Sequence, residues 1–260
     1  MGDAELSATF LGHSTVSLRM GGTTVLTDPV LSRSVAAIVR RVGPEIAAET
    51  LDHPEVVVVS HAHYDHLDVP TLRRLRSGYT VVVPRGVGRY VRAVGAGTII
   101  ELAAGESTTC GGVEIIAVYA DHDGRRHKLA PEADAVGYLI RSNSTTVYHA
   151  GDTALFAAMA DLSSEPVDLA LMPVWGWGPR LGPGHLDPEQ AAEATALIEP
   201  RWAIPVHWGA LWSKVVPRDH HRRTAPPIEY VDAVRRTAPK TEVALLAVGE
   251  TWTLPDSSTS

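Results

Sequence analysis

Short apolar runs separated by polar turns dominate the chain, and most of the runs are too short to be helices. Val56-Val57-Val58-Val59 and Thr80-Val81-Val82-Val83-Pro84 are rich in β-branched residues and predict buried strands. Leu169–Pro173 and Trp202–Val206 read the same way. Residues 6–12 alternate weakly, residues 16–20 and 23–27 flank Gly21-Gly22 as a hairpin, and further strands are expected at 99–102 and 113–119. Helical patterns interleave with them. Residues 34–41 have helical character and a Gly43-Pro44 stop, and predict a surface helix placed where it could also act as a lid. Asp68 suits an N-cap, with Pro70 in the first turn of a helix reaching to about residue 76. Residues 86–93 predict a short helix, and Asp187-Pro188 opens a strongly helical segment.

A repeat organises these elements. Residues 22–28 (G-T-T-V-L-T-D) are echoed by residues 144–152 (S-T-T-V-Y-H-A-G-D), each a turn, a strand and a terminal carboxylate. Two similar halves predict an α/β chain with two sheets packed face to face and helices outside, a four-layer αββα sandwich. The 260 residues suffice for one such domain, expected over residues 1–260, with a frayed tail after Pro255. No apolar run is long enough to cross a bilayer, and the acidic start lacks a signal-peptide pattern. With a lone cysteine, Cys110, the expected compartment is the cytoplasm. The net charge of −7 disfavours a nucleic-acid partner, so a small-molecule substrate is expected; the oligomeric state is left open.

The chemistry gathers at the ends of the strands. Ser60-His61-Ala62-His63-Tyr64-Asp65-His66 follows the valine run at once, placing three imidazoles and a carboxylate within six positions. His61 and His63 are two apart and share a face in extended backbone, whereas Asp65 and His66 can face a second point. His122 follows the strand ending near Tyr119, Asp152 follows the one ending at His149, and His207 follows Val206. Each taken singly would be an ordinary polar loop residue. Four strand ends that all finish in His or Asp are better explained by one rim that binds metal. Trp175, Trp177, Trp208 and Trp212 flank these motifs, and three of them could wall an apolar substrate pocket. Arg180 and either Arg125 or Arg126 lie beside them and could bind phosphate.

S-H-A-H-Y-D-H-L-D (60–68), A-G-D-T (150–153), G-H-L-D-P (184–188) and H-W-G (207–209) resemble the metallo-β-lactamase superfamily. The branch they resemble includes N-acyl-phosphatidylethanolamine phospholipase D and L-ascorbate-6-phosphate lactonase. The resemblance covers nearly all of residues 6–252. It implies that His61, His63 and His122 hold a first metal ion and Asp65, His66 and His207 a second, with Asp152 bridging both. It implies His13 and Asp28 as supports behind the ligands and His185 as a catalytic residue that holds no metal. The donor set suits two divalent ions, Zn²⁺ first, with Mn²⁺ or Fe also matching it. The implied activity is hydrolysis of a phosphodiester or lactone by a metal-bridging hydroxide that Asp65 and Asp152 orient. Trp175, Trp177, Trp208 and Arg180 are the expected substrate contacts. The alternatives are an RNA-processing nuclease of the same fold and a non-catalytic metal-binding protein. The branch's tryptophan-rich stretch is missing at residues 101–106, and so is its long N-terminal extension, which argues against a membrane-lipid substrate.

Overall fold

The computed structural model describes residues 6–36, 39–44, 46, 53–142 and 145–255. Ser144 of the repeat and the tail after Pro255 lie outside the described residues. In chain order the first elements are β1 (Leu6–Gly12), β2 (Thr15–Met20), β3 (Thr23–Thr27), β4 (Ser34–Val35), β5 (Val39–Arg41) and β6 (Val56–Val58). Next come α1 (Val69–Arg74), β7 (Thr80–Pro84), α2 (Gly88–Val91), β8 (Thr98–Leu102), β9 (Ser107–Cys110), β10 (Val113–Tyr119), β11 (Val136–Ser142) and β12 (Thr145–His149). A 3₁₀ helix (Ala157–Ser164) then leads to β13 (Leu169–Pro173), α3 (Pro188–Ile198), β14 (Trp202–Val206), β15 (Leu211–Ser213), α4 (His220–Thr237), β16 (Glu242–Val243) and β17 (Thr251–Thr253).

Two seven-stranded sheets run β17-β1-β2-β3-β6-β7-β8 and β16-β14-β13-β12-β11-β10-β9. Each begins as an antiparallel meander and continues in parallel. In the first, β2 and β3 pair antiparallel, and β3, β6, β7 and β8 follow in parallel. In the second, β11 and β12 pair antiparallel, and β12, β13 and β14 are parallel. The echo between residues 22–28 and 144–152 is this shared plan, since β3 and β12 are the strands where pairing changes direction. Both central residues of the Gly21-Gly22 turn have positive φ, 58° and 80°, a conformation glycine adopts without strain.

The valine runs are apolar throughout because their strands are covered on both faces. Val56 and Val58 of β6 point between the sheets, where they meet Phe10, Ile115, Tyr138 and Leu171. Val57 and Val59 point outward into a second layer with Leu72 of α1 and Val91 of α2. On the far side, Ala170 and Met172 of β13 pack under Ala191, Ala194 and Ile198 of α3 and Tyr230 and Ala233 of α4. The result is the expected four-layer αββα sandwich. Asp187 caps α3 as the sequence predicts, in a reciprocal capping box with Gln190.

Residues 34–41 correct the sequence reading. They carry no helix among the described residues: β4 pairs antiparallel with β5, and β5 with β15. Val35 and Val39 are buried with Leu211 in a small apolar cluster, which favours extended backbone for these β-branched residues. Buried Arg41 donates to the carbonyls of Leu11, Val30 and Pro44 and ties the segment to the first sheet. Asp68 also departs from expectation. It occupies the N-cap position of α1 but makes no capping bond; its carboxylate accepts the hydroxyls of Ser32 and Thr71 instead.

Candidate metal centre

The predicted strand ends meet at one rim. The loop after β6 is held by Ala62 N–H donating to Gly124 O, and by His66 and Leu67 N–H donating to His63 O. The loop before Asp152 crosses it so closely that a Cβ on Gly151 would lie 2.5 Å from the Ser60 Cβ, which explains the glycine. Three site residues take left-handed backbone that non-glycine residues seldom adopt: His13 (φ 58°), Asp28 (φ 35°) and His207 (φ 63°). The His207 N–H is held by His13 O, so the β1–β2 turn and the end of β14 brace one another.

Two groups of potential ligand atoms result, each within 4.8 Å of one another: His61, His63, His122 and Asp152, and His13, Asp65, His66 and His207. In the first, His63 Nδ1 lies 2.9 Å from His61 Nε2 and 3.1 Å from His122 Nε2. In the second, His66 Nε2 is 3.1 Å from His207 Nε2, and Asp65 Oδ2 is 3.5 Å from His207 Nε2. A tetrahedral zinc site with bonds of 2.0–2.1 Å has ligand edges of about 3.3 Å, close to these spacings.

Asp152 stands between the groups. Its Oδ2 lies 3.1 Å from His66 Nε2, 3.2 Å from His185 Nε2, 3.8 Å from His61 Nε2 and 4.0 Å from His122 Nε2, and its Oδ1 lies 3.3 Å from His207 Nε2. Yet both oxygens are buried without a hydrogen bond of acceptable geometry. The burial of this carboxylate therefore calls for positive charge beside it. Most of the surrounding imidazoles spend their other nitrogen elsewhere. His122 Nδ1 contacts Gly184 O at 2.8 Å, His207 Nδ1 contacts Trp175 O at 2.6 Å, and His61 Nδ1 contacts the Ser60 hydroxyl at 3.0 Å. Protons assigned to those Nδ1 atoms leave the Nε2 lone pairs facing the carboxylate and one another. Cations between them would resolve this arrangement, so the residues present suit two divalent ions.

Asp28 underlies both groups. Its Oδ1 accepts Ser60 N–H, and its Oδ2 accepts the Ser60 hydroxyl, His66 Nδ1 at 2.8 Å and His149 Nε2 at 3.0 Å. Burial alone would raise its carboxyl pKa, but the charges of His149 and His66 outweigh burial and hold it well below the ordinary range. Burial likewise pushes His66 down, and Asp152 and Asp28 outweigh that, leaving it well above the usual imidazole value. His13, expected behind the ligands, reaches them: its Nε2 is 3.1 Å from Asp65 Oδ2. Burial lowers its pKa to about 4. A neutral His13 with its proton on Nε2 donates to Asp65 and orients that carboxylate. His149 is the partner of Asp28 that the strand pattern did not single out; its only local signal is its place just before Ala-Gly-Asp.

Around the rim the expected contacts divide. Trp177 and Arg180 line cavities that open on the site. Trp175 serves the site through its carbonyl, and its indole donates to Gly178 O. Trp208 stacks on Phe10 at 5.6 Å against the core and lines neither cavity. His185 stands at the mouth. Burial lowers its pKa and Asp152 more than restores it, to about 9. The neighbouring arginines have other work. Arg125 pairs with Asp123. Arg126 Nη1 donates to Ala62 O and Leu67 O, and its guanidinium lies 3.9 Å over the Tyr64 ring. Arg126 therefore clasps the two ends of the ligand loop.

A family model described as a β-lactamase superfamily domain matches residues 23–208, from the start of β3 to just past His207. The chain is 32% identical over 94% of its length to a UPF0173 metal-dependent hydrolase of Methanopyrus kandleri, and covers 98% of that protein. It is 29% identical over 98% of its length to N-acyl-phosphatidylethanolamine-hydrolyzing phospholipase D 1 of Caenorhabditis elegans, of which it covers 77%. The solved structure of Igni18, a metallo hydrolase of Ignicoccus hospitalis, shares the fold with a TM-score of 0.74 at 24% identity, over 96% of this chain and 99% of that one. No helix among the described residues is long and apolar enough to cross a membrane. The two-sheet sandwich, its rim of histidines and aspartates and the family match coincide on the same residues, and the chain belongs to the metallo-β-lactamase superfamily of metal-dependent hydrolases.

Proposed function

We propose that the protein is a dinuclear metal-dependent hydrolase that cleaves a phosphodiester or a lactone. The observation that carries this reading is Asp152, buried and without a hydrogen bond, with five imidazole Nε2 atoms between 3.1 and 4.0 Å away. His61, His63 and His122 would hold one ion, Asp65, His66 and His207 the other, and Asp152 would bridge them. The donors are imidazole and carboxylate with no thiolate, which suits Zn²⁺ and also Mn²⁺ or Fe. Such ions, when bound, supply an activated water and an electrophilic clamp for the substrate oxygens.

The chain's own groups do the rest. Asp65, oriented by His13, and Asp152 present acceptor oxygens that align the attacking water. His185 Nε2, 3.2 Å from Asp152 and facing the mouth, is placed to hand a proton to the leaving oxygen while its Nδ1 is anchored on the carbonyls of Gly182 and Pro183. Asp28 keeps the imidazoles of His66 and His149 in one orientation. The likeness to a phospholipase D, an enzyme named for hydrolysing a phosphatidylethanolamine, favours phosphodiesters over β-lactams.

The test is turnover by the metal-loaded protein of generic phosphodiesters, lactones and penicillins. Phosphodiesters or lactones are expected to be cleaved fastest; penicillins outrunning all of them would overturn the reading. His185→Ala is expected to keep both metals and its melting temperature while losing about 10²–10⁴-fold in kcat. Loss of a metal, or normal turnover with earlier melting, would show that His185 is a ligand or a structural residue.

A further inference from the structure

Two cavities flank His185 and share Trp177 as their partition. The first, of about 360 Å³, is walled by Val35, Ala36, Val39, Tyr64 and Trp177 above a floor of His63, Asp65 and His185. The second, of about 280 Å³, runs along residues 176–182 to His185 and His207. Its wall holds three glycines and no carboxylate, and a Cβ on Gly176 would stand 3.8 Å from His207 Cε1. A side chain at Gly176 would stand against the His207 ring, and one at Gly182 against His185.

Among the described lining residues the one guanidinium is that of Arg180. It is exposed, and no described residue pairs with it. The other arginines near this rim are committed: Arg125 to Asp123, Arg126 to Ala62 and Leu67, Arg222 to Asp219 and Pro179, Arg223 to Gly209. A guanidinium beside a cavity without carboxylates matches an oxyanion. The described side chains of the opposite wall above its floor are apolar or aromatic, a surface that gains by excluding water. The two volumes are on the scale of a small-molecule group each.

We propose that the substrate is a compact amphiphilic ester whose apolar group lies between Trp177 and the β4–β5 segment and whose anionic group lies under Arg180. The scissile bond then falls between them, over His185 and Asp152. This inference rests on the hydrolase reading for its site and adds the substrate class. The anion is a phosphate or a carboxylate, since both offer the oxygens that a guanidinium pairs with.

The test measures binding rather than turnover. The full-length, metal-loaded protein is titrated calorimetrically with methyl phosphate, hexyl phosphate, hexanoate and dodecyl phosphate. Hexyl phosphate is expected to bind at least tenfold tighter than methyl phosphate, with no further gain for dodecyl phosphate. Arg180→Gln should weaken hexyl phosphate about tenfold, and Trp177→Ala should cut the hexyl-over-methyl advantage below threefold. Both variants must retain metal content and melting temperature. Tighter hexyl phosphate supports a phosphate ester, and tighter hexanoate supports a carboxylate, provided each advantage depends on Arg180. Equal affinity for methyl and hexyl phosphate, or an Arg180→Gln variant with unchanged affinities, overturns the proposal, and steadily rising affinity up to dodecyl overturns its compactness. Tight hexyl binding with no ester cleaved would sink the hydrolase reading alone. Cleavage with no chain preference would sink this inference alone.

Discussion

Replacing Arg126 by alanine tests how the ligand loop is held. Arg126 Nη1 donates to Leu67 O at 2.7 Å and to Ala62 O at 3.0 Å, and both of those residues are fully buried. Arg126→Ala leaves two buried carbonyls without a donor, at about 1–3 kcal/mol each. Loss of the guanidinium from the Tyr64 face adds about 0.5–2 kcal/mol. Water entering the vacated space recovers part of this, so the expected cost is about 3–5 kcal/mol, a large share of a typical domain's stability. Arg126→Lys keeps the charge and one donor and should cost about half as much. Because the clasped loop carries His63, Asp65 and His66 and adjoins His61, metal affinity should fall as well. Urea unfolding of the metal-free protein measures the first effect, and competition with a chromogenic chelator measures the second. An alanine variant within about 1 kcal/mol of the parent, with unchanged chelator competition, would refute the clasp.

Asp152→Asn should weaken binding of both ions together, because Asp152 lies within reach of imidazoles from both groups; elemental analysis finding two full equivalents would refute bridging. Removing metal with a chelator should lower the melting temperature, because ions that bind only the folded state stabilise it; an unchanged melting curve would count against the centre. Asp28→Asn should cost about 3 kcal/mol in the metal-free protein, since it leaves His66 and His149 without their carboxylate partner. The same residue sets an acid limit. Its folded pKa is depressed, so its contribution is complete above the unfolded carboxylate value of about 4 and is lost as pH falls below it. The parent should therefore lose stability more steeply than Asp28→Asn below about pH 4, and parallel curves in urea titrations would refute this.

Much of the fold was legible because its signals are local. A strand covered on both faces must be apolar at every position, so the valine runs of β6 and β7 announced buried strands inside a layered sandwich; that they run parallel came from the structure. Part of the candidate site was legible for a related reason: donors gathered at one strand end keep short spacings, as in H-x-H-x-D-H. Asp187 and Gln190 cap α3 from three residues apart, again a local matter. Where the outcome depended on partners far along the chain, the local pattern misled or was silent. Residues 34–41 look helical, yet pairing with β15 and burial of Val35 and Val39 make Ser34–Val35 and Val39–Arg41 strands. Nothing around Trp208 distinguishes a pocket wall from a ring stacked on Phe10. His13 meets Asp65 across 52 positions, His149 meets Asp28 across 121, and Arg126 meets the ligand loop across about 60. Local spacing specifies which side chains a strand end can offer; only the packing of the two sheets decides which of them touch, because contacts across such separations arise from the closed sandwich.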